Sequence, residues 1–238
     1  MKLSTALFSL ALAVAPLAAH AGEAEIRKAL LAQFPHAKIS EITKTPYAGL
    51  YEVYMDGQLV YASPDGHYVF LGNVIDVAAH KNLTEARMSQ LQRVDFNSLP
   101  FDQAMKWVKG DGSRKLAVFT DPDCPFCRKL EPELAKLNNV TLYLFPYPIP
   151  SLHPGSEKVA QQIWCSPDRI KAWNDYMLKG IAPTASPNCP NPVKKNMALG
   201  EKLDISGTPT LFFQNGERIP GLVPAEQLDK LLSAAAGK

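Results

Sequence analysis

The sequence predicts an α+β protein of two modules joined by a helix, and three observations carry that prediction. Short strand-like runs separated by hairpin turns fill the chain up to about residue 83. From Leu116 onward strands and helices alternate. Between the two lies a polar stretch with helical periodicity.

The chain opens with Lys2, an apolar stretch from Leu3 to Leu17, and Ala19-His20-Ala21, which has the small-x-small form of a signal-peptidase site. This pattern predicts a secretory signal over residues 1–21, too short and too weakly flanked for a spanning helix. An uncleaved anchor is the alternative. The expected mature chain, Gly22 to Lys238, is soluble and exported. Its formal charge falls from +2 to +1 when Lys2 is removed with the signal. A near-neutral chain with scattered basic residues has no electrostatic footprint for nucleic acid. Four cysteines in an exported chain of 238 residues are too few for a disulfide scaffold, but an oxidising compartment lets specific pairs persist.

Residues 23–34 space Ile26, Leu30, Leu31 and Phe34 as on one helix face, and Pro35 ends the run. The strand-like pieces LYEVYM, QLVYA and HYVFLG follow, separated by Asp56-Gly57 and Pro64-Asp65-Gly66, which favour antiparallel hairpins. A module of about 60 residues buries little surface alone, so it docks on a partner or dimerises. Residues 84–99 read as a helix capped by Thr84, with Met88, Leu91 and Phe96 on one side. It either connects two domains or packs inside one.

Next come strand KLAVFT, helix CPFCRKLEPELAKL, strand VTLYLF and the proline-broken loop FPYPIPSLHPG. One helix then runs through SEKVAQQIW, and another begins at Ser166-Pro167-Asp168, with Ser166 as its cap and Pro167 at the first helical position, and stops at Gly180. After the Cys189 loop come helix PVKKNMALGEKL, strand TLFFQ, the Asn215-Gly216 turn, strand RI and a last helix from about Pro224. This order implies a mixed sheet.

The placement of Cys124 and Cys127 carries the chemistry. Cys124 falls where a strand gives way to a helix. With Cys124 as N-cap and Pro125 at the first helical position, the amides of Phe126 and Cys127 face the Cys124 sulfur. Those donors and the positive helix end favour the thiolate. Asp121 and Asp123 oppose it if close, Arg128 and Lys129 favour it, and the balance is not fixed by sequence. A zinc site needs four ligands, whereas Cys165 and Cys189 are widely spaced and His36, His67, His80 and His153 are scattered. A c-type haem needs His where Arg128 stands. A redox dithiol, with no metal and no cofactor, is the reading that fits.

Bridging Cys165 to Cys189 closes a loop of about 25 residues, worth roughly 3 kcal/mol in the chain-entropy model. A structural disulfide is expected there, with a second redox pair or free buried thiols as the alternatives. Far downstream, Ser206-Gly207-Thr208-Pro209-Thr210 places a proline at the start of a strand. From the residues alone an ordinary trans turn is expected there; a cis Thr208–Pro209 bond, which would make a tight turn that exposes the Thr208 backbone, is the alternative.

Taken together, these residues resemble a known family. The strand–CxxC–helix unit, Pro132 five residues after Cys127 and the late Gly-Thr-Pro look like a thioredoxin fold. FTDPDCPFC, IWC at 163–165, ALG at 198–200, SGTPT at 206–210 and NG followed by IPG resemble the bacterial periplasmic DsbC/DsbG family. The resemblance covers essentially the whole mature chain. It implies a cystatin-like dimerisation domain over 22–83, a linker helix over 84–103 and a thioredoxin-like catalytic domain with a helical insertion over 104–238. It also implies a homodimer, a cis Thr208–Pro209 bond, Cys124 as nucleophile, Cys127 as resolving thiol, and Thr208 with Pro209 as the substrate-facing loop.

Within the family, the DsbC branch rearranges wrong disulfides in misfolded or mis-oxidised exported proteins. It is kept reduced by a membrane reductant of DsbD type and carries a second, structural cysteine pair, a role open to Cys165 and Cys189. The DsbG branch often has Pro after the first active-site cysteine, as Pro125 is here, and protects single thiols from over-oxidation. The second pair favours the DsbC branch. A DsbA-type oxidase that rests oxidised, and a dimeric holdase using Phe126, Tyr147, Ile149 and Leu152, are the competing readings.

Overall fold

A computed structural model of the chain describes residues 18–237. The expected signal lies outside them except for residues 18–21, which begin the first helix, α1 (Ala18–Gln33). Among the described residues no helix is long and apolar enough to cross a membrane. The described residues divide into two compact units, which meet between Thr84 and Glu85.

In the first unit four strands, β1 (Ile39–Lys44), β2 (Tyr51–Met55), β3 (Gln58–Ala62) and β4 (Val69–Phe70), form an antiparallel sheet in sequence order. The β2–β3 turn places both Asp56 (φ 50°) and Gly57 (φ 77°) in the left-handed region. That is the turn geometry whose twist matches the flanking strands. Ile26 and Leu30 of α1 pack on Ile42, Val53, Val60 and Ala62 to make the core. Gly66 (φ 70°) lets the β3–β4 turn approach the helix, since a Cβ there would lie 3.1 Å from the Ile26 Cα. A small hairpin, β5 (Ile75–Asp76) with β6 (Lys81–Asn82), leads into α2 (Leu83–Leu91).

The helix expected over 84–103 is shorter than that. It ends at Leu91, and Thr84 lies inside it rather than capping it: the Thr84 hydroxyl meets the Tyr61 hydroxyl at 2.5 Å and accepts from the Val74 N–H. Beyond Leu91 the Val94 N–H donates to the Gly216 carbonyl instead of continuing the helix. Asp95 then caps a separate 3₁₀ turn at Phe96–Ser98 by accepting from the Asn97 N–H. Asp, Asn and Ser side chains compete with helical bonding in this way.

The second unit is built on a five-stranded mixed sheet of order β11-β10-β8-β9-β7. Its strands are β7 (Met105–Lys109), β8 (Arg114–Thr120), β9 (Val140–Pro146), β10 (Thr210–Phe213) and β11 (Arg218–Pro220). Only the central β8–β9 pair is parallel, and α3 (Pro125–Lys136) is its crossover. Strand alternation sorts the core onto two faces. Leu116, Val118, Leu142, Leu144, Leu211 and Phe213 point to one side, where α3 packs. Ala117, Phe119, Phe145 and Phe212 point to the other. There Phe119 stacks on Phe145 at 4.7 Å and meets Phe212 edge-on at 5.6 Å.

The insertion between β9 and β10 holds α4 (Ser156–Trp164), α5 (Arg169–Lys179) and α6 (Val193–Lys202); α7 (Ala225–Ala235) closes the chain. The N-cap of α5 is Asp168, which accepts from the Lys171 N–H at 2.9 Å, not the Ser166 that the sequence suggested. Ser166 instead donates back to the Gln162 carbonyl of α4. On α6, Gly200 is a close-approach position, because a Cβ there would fall 2.2 Å from the Tyr147 ring.

Candidate active site

Strand β8 delivers the chain to the site at Thr120, and the turn Asp121–Asp123 hands it to α3. Cys124 is the N-cap and Pro125 the first helical residue. Cys124 is 4% exposed and Cys127 is fully buried; both carry free thiols. The Thr208–Pro209 bond is cis, and the Cys124 thiol donates to the Thr208 carbonyl at 3.3 Å. The fold therefore brings Cys124, Cys127 and the Thr208-Pro209 loop together across 84 residues of sequence.

The electrostatic balance left open by sequence favours the Cys124 thiolate. Its thiol is pulled down to about 5, chiefly by the hydrogen bond from Cys127, and further by Thr208 and the amides of Cys127 and Phe126. Burial opposes this shift and loses. Cys127 moves the other way: burial and its role as donor to Cys124 push its thiol up. One sulfur is thus prepared as a thiolate and the other is held as a thiol.

Both neighbouring aspartates are tied up. Asp121 is fully buried and accepts from the N–H groups of Asp123 (2.9 Å) and Ile149 (2.8 Å) and from His153 Nδ1 (2.9 Å). Asp123 accepts from the Tyr176 hydroxyl of α5 at 2.5 Å, and Arg128 lies 3.8 Å away with its guanidinium over the Tyr176 ring. Phe126, between the two cysteines, is 56% exposed.

Glu131 lies one turn beyond Cys127 on α3 and is buried. Burial raises its carboxyl to about 7, against an opposing influence of the Trp173 indole. Neither Glu131 Oε2 nor Trp173 Nε1 completes a hydrogen bond among the described residues. Since its folded value exceeds the usual 4.5, the neutral acid stabilises the fold at low pH, and stability is lost as pH rises through about 7. Glu131→Gln keeps the neutral form at every pH. Relative to the parent it should gain about 3 kcal/mol on going from pH 4.5 to pH 8. Urea unfolding at the two pH values measures this, and an unchanged difference between the two proteins refutes it.

Away from the dithiol, Cys165 and Cys189 are bonded, with Cα atoms 5.8 Å apart, and tie the end of α4 to the loop before α6. They line a cleft of about 1010 Å³ with Trp164, Arg169 and Lys106; neither Cys124 nor Thr208 lines it.

Residues 17–85 match the disulfide bond isomerase N-terminal domain family, and residues 101–236 match the thioredoxin-like domain family. A probable thiol:disulfide interchange protein DsbC of Bordetella parapertussis is 38% identical over 207 residues, covering 87% of this chain and 73% of its own. The chain belongs to the DsbC family of thiol:disulfide interchange proteins. DsbC of Escherichia coli K12 is 29% identical over 238 residues, covering 98% of this chain and 96% of its own. A crystal structure of a disulfide interchange protein from Neisseria gonorrhoeae is 46% identical, covers 58% of this chain and 99% of its own, and superimposes with a TM-score of 0.56. As a DsbC-family enzyme the chain is a thiol:disulfide oxidoreductase and isomerase with a thioredoxin-like domain. These relatives favour the DsbC branch over the DsbG one.

Three neighbours of the DsbC-family dithiol were not singled out as site residues from sequence. Tyr176 and Glu131 sit on helices whose face toward the site depends on tertiary packing. His153 counted only as one of several scattered histidines, although its loop is anchored by the parallel β8–β9 pairing that sets Thr120 beside Pro146.

Proposed function

We propose that this DsbC-family enzyme isomerises wrong disulfides in exported proteins, with Cys124 as nucleophile and Cys127 as resolving thiol. The carrying observation is the opposed pair of thiols at the start of α3, one favoured as thiolate and one held protonated beside it. Cys124 attacks a substrate disulfide; its bond to one substrate sulfur forms, and the other substrate sulfur leaves as a thiolate. That thiolate attacks another disulfide and completes the rearrangement, or Cys127 releases the substrate in reduced form. Thr208 and Pro209 present the loop against which the substrate strand lies, and Cys165–Cys189 is structural.

This role requires a resting dithiol, hence a membrane reductant of DsbD type, and an exported location to which residues 1–21 direct the chain. The first unit, taken as residues 22–83, makes a homodimer. Tyr68, Val69, Phe70 and Leu71 lie exposed on and beside β4, the edge of the four-stranded sheet, which is a surface suited to a second copy. Sedimentation of the full chain tests this; a monomer at micromolar concentration overturns it. Secondary chaperone activity draws on exposed Phe126 and Leu152. The fully reduced protein should restore activity to scrambled ribonuclease, and the protein with Cys124 and Cys127 pre-oxidised should not. Equal rescue by both forms refutes the isomerase reading.

A further inference from the structure

We infer that His153 is a positioning residue for the resolving step, acting through Asp121 on Cys127. The inference rests on the roles proposed above for the two cysteines. Asp121 touches both of them through its backbone. Its N–H points to Cys127 Sγ at 3.5 Å, and its carbonyl accepts from the Cys124 N–H at 3.2 Å. The peptide that carries the Asp121 N–H is held on its carbonyl side by the Tyr147 N–H, which donates to the Thr120 carbonyl at 2.8 Å. On the Asp121 side it is held by the buried carboxylate, on which three N–H groups converge: those of Asp123, Ile149 and His153. Only the donor from His153 is a side chain, and only His153 and Ile149 reach in from the loop after β9. A carboxylate only accepts, so the His153 Nδ1 carries the proton. The His153 side chain is 21% exposed, whereas that of Asp121 is fully buried.

The consequence differs for the two half-reactions. In the resolving step Cys127 loses its proton, attacks Cys124 Sγ and forms the Cys124–Cys127 bond. The bond from Cys124 to the substrate sulfur breaks, and the substrate leaves with the electron pair and takes up a proton. Cys127 is oxidised and the substrate sulfur reduced. Cys127 is buried, and the Asp121 N–H is a fixed donor that favours its thiolate. If Asp121 swings, that donor is lost. The Cys124 thiolate depends instead on Cys127, Thr208 and the first amides of α3, none of which the Asp121 side chain holds. The Asp121 carbonyl also accepts from the Cys124 N–H, but that bond is not among the donors that favour the Cys124 thiolate, so His153 weighs on escape from the mixed disulfide far more than on its formation.

Oxidised glutathione reports the two steps separately, as formation of a glutathione adduct on Cys124 and its expulsion by Cys127. In His153→Ala, expulsion should slow about tenfold while adduct formation stays within about twofold of the parent. In His153→Asn, whose Nδ2 takes the place of Nδ1, both steps should return to within about twofold. Expulsion at the parental rate in His153→Ala, equal slowing of both steps, or His153→Asn as slow as His153→Ala would each overturn the inference. A Cys127→Ser protein that accumulates no adduct on Cys124 would instead overturn the underlying assignment of the cysteines.

Discussion

Cys124→Ser should lower the recovery of scrambled ribonuclease to the uncatalysed background, and Cys127→Ser should turn the protein into a trap. The two outcomes differ because the sulfurs are prepared differently. A serine hydroxyl does not ionise near neutral pH and cannot open a disulfide, so the first variant stops before any covalent step. The second exchanges the Cys127 thiol, the chief donor to Cys124, for a serine hydroxyl that can donate in its place, and keeps the Thr208 contact and the amides of residues 127 and 126. It still attacks, but no internal thiol remains to expel the substrate. Non-reducing electrophoresis against an unfolded disulfide-containing protein should show adducts that persist in Cys127→Ser and are absent in Cys124→Ser. Reversal of that pattern would exchange the two roles.

Alkylation of the reduced protein by iodoacetamide should occur at Cys124, with a rate that rises through pH 5 and then levels. Lowering the thiol from 9.0 to about 5 has two opposed effects. At pH 7 the thiolate fraction is roughly a hundredfold greater, while intrinsic nucleophilicity falls by roughly sixtyfold, so the rate hardly changes. At pH 6 the fraction is roughly a thousandfold greater and the low value wins by about an order of magnitude. The benefit therefore lies on the acid side and in making Cys124 a good leaving group when a substrate thiolate attacks the substrate sulfur of the mixed disulfide. Cys127, fully buried with its thiol pushed up, should stay unmodified over the same range. Mass mapping of the labelled peptide checks both statements, and a rate still climbing at pH 9 would refute the first.

The parts of this site legible in the sequence were those that depend on local chain geometry. Cys124 at a strand-to-helix junction, Pro125 at the first helical position and the Asp56-Gly57 turn all follow from neighbouring residues. The strand VFT could be read as buried because both faces of β8 meet a core. The approach of Thr208 to Cys124 came from the family resemblance, since residue-level reasoning alone favoured the trans isomer of the Thr208–Pro209 bond. What stayed hidden depends on contacts between distant segments. Asp121 read as a charge opposing the thiolate, yet its carboxylate is occupied by a loop some 30 residues away, at Ile149 and His153. Met105–Lys109 was not read as a strand because its lysines resemble solvent-exposed chain. It is an edge strand, where lysines discourage further pairing. The helix after Thr84 was drawn too long because Met88, Leu91 and Phe96 keep helical spacing across a break that the Val94–Gly216 hydrogen bond imposes.

The Cys165–Cys189 bond makes the enzyme a member of the class of molecules it acts on. Its four cysteines divide into a pair of free thiols and a pair already bonded. A count of thiols per chain thus depends on how hard the protein has been reduced. Two titrate when only the dithiol is open, and four when the insertion has been opened as well. A preparation that titrates above two has lost the staple between α4 and α6, and with it the frame that carries Tyr176 to Asp123.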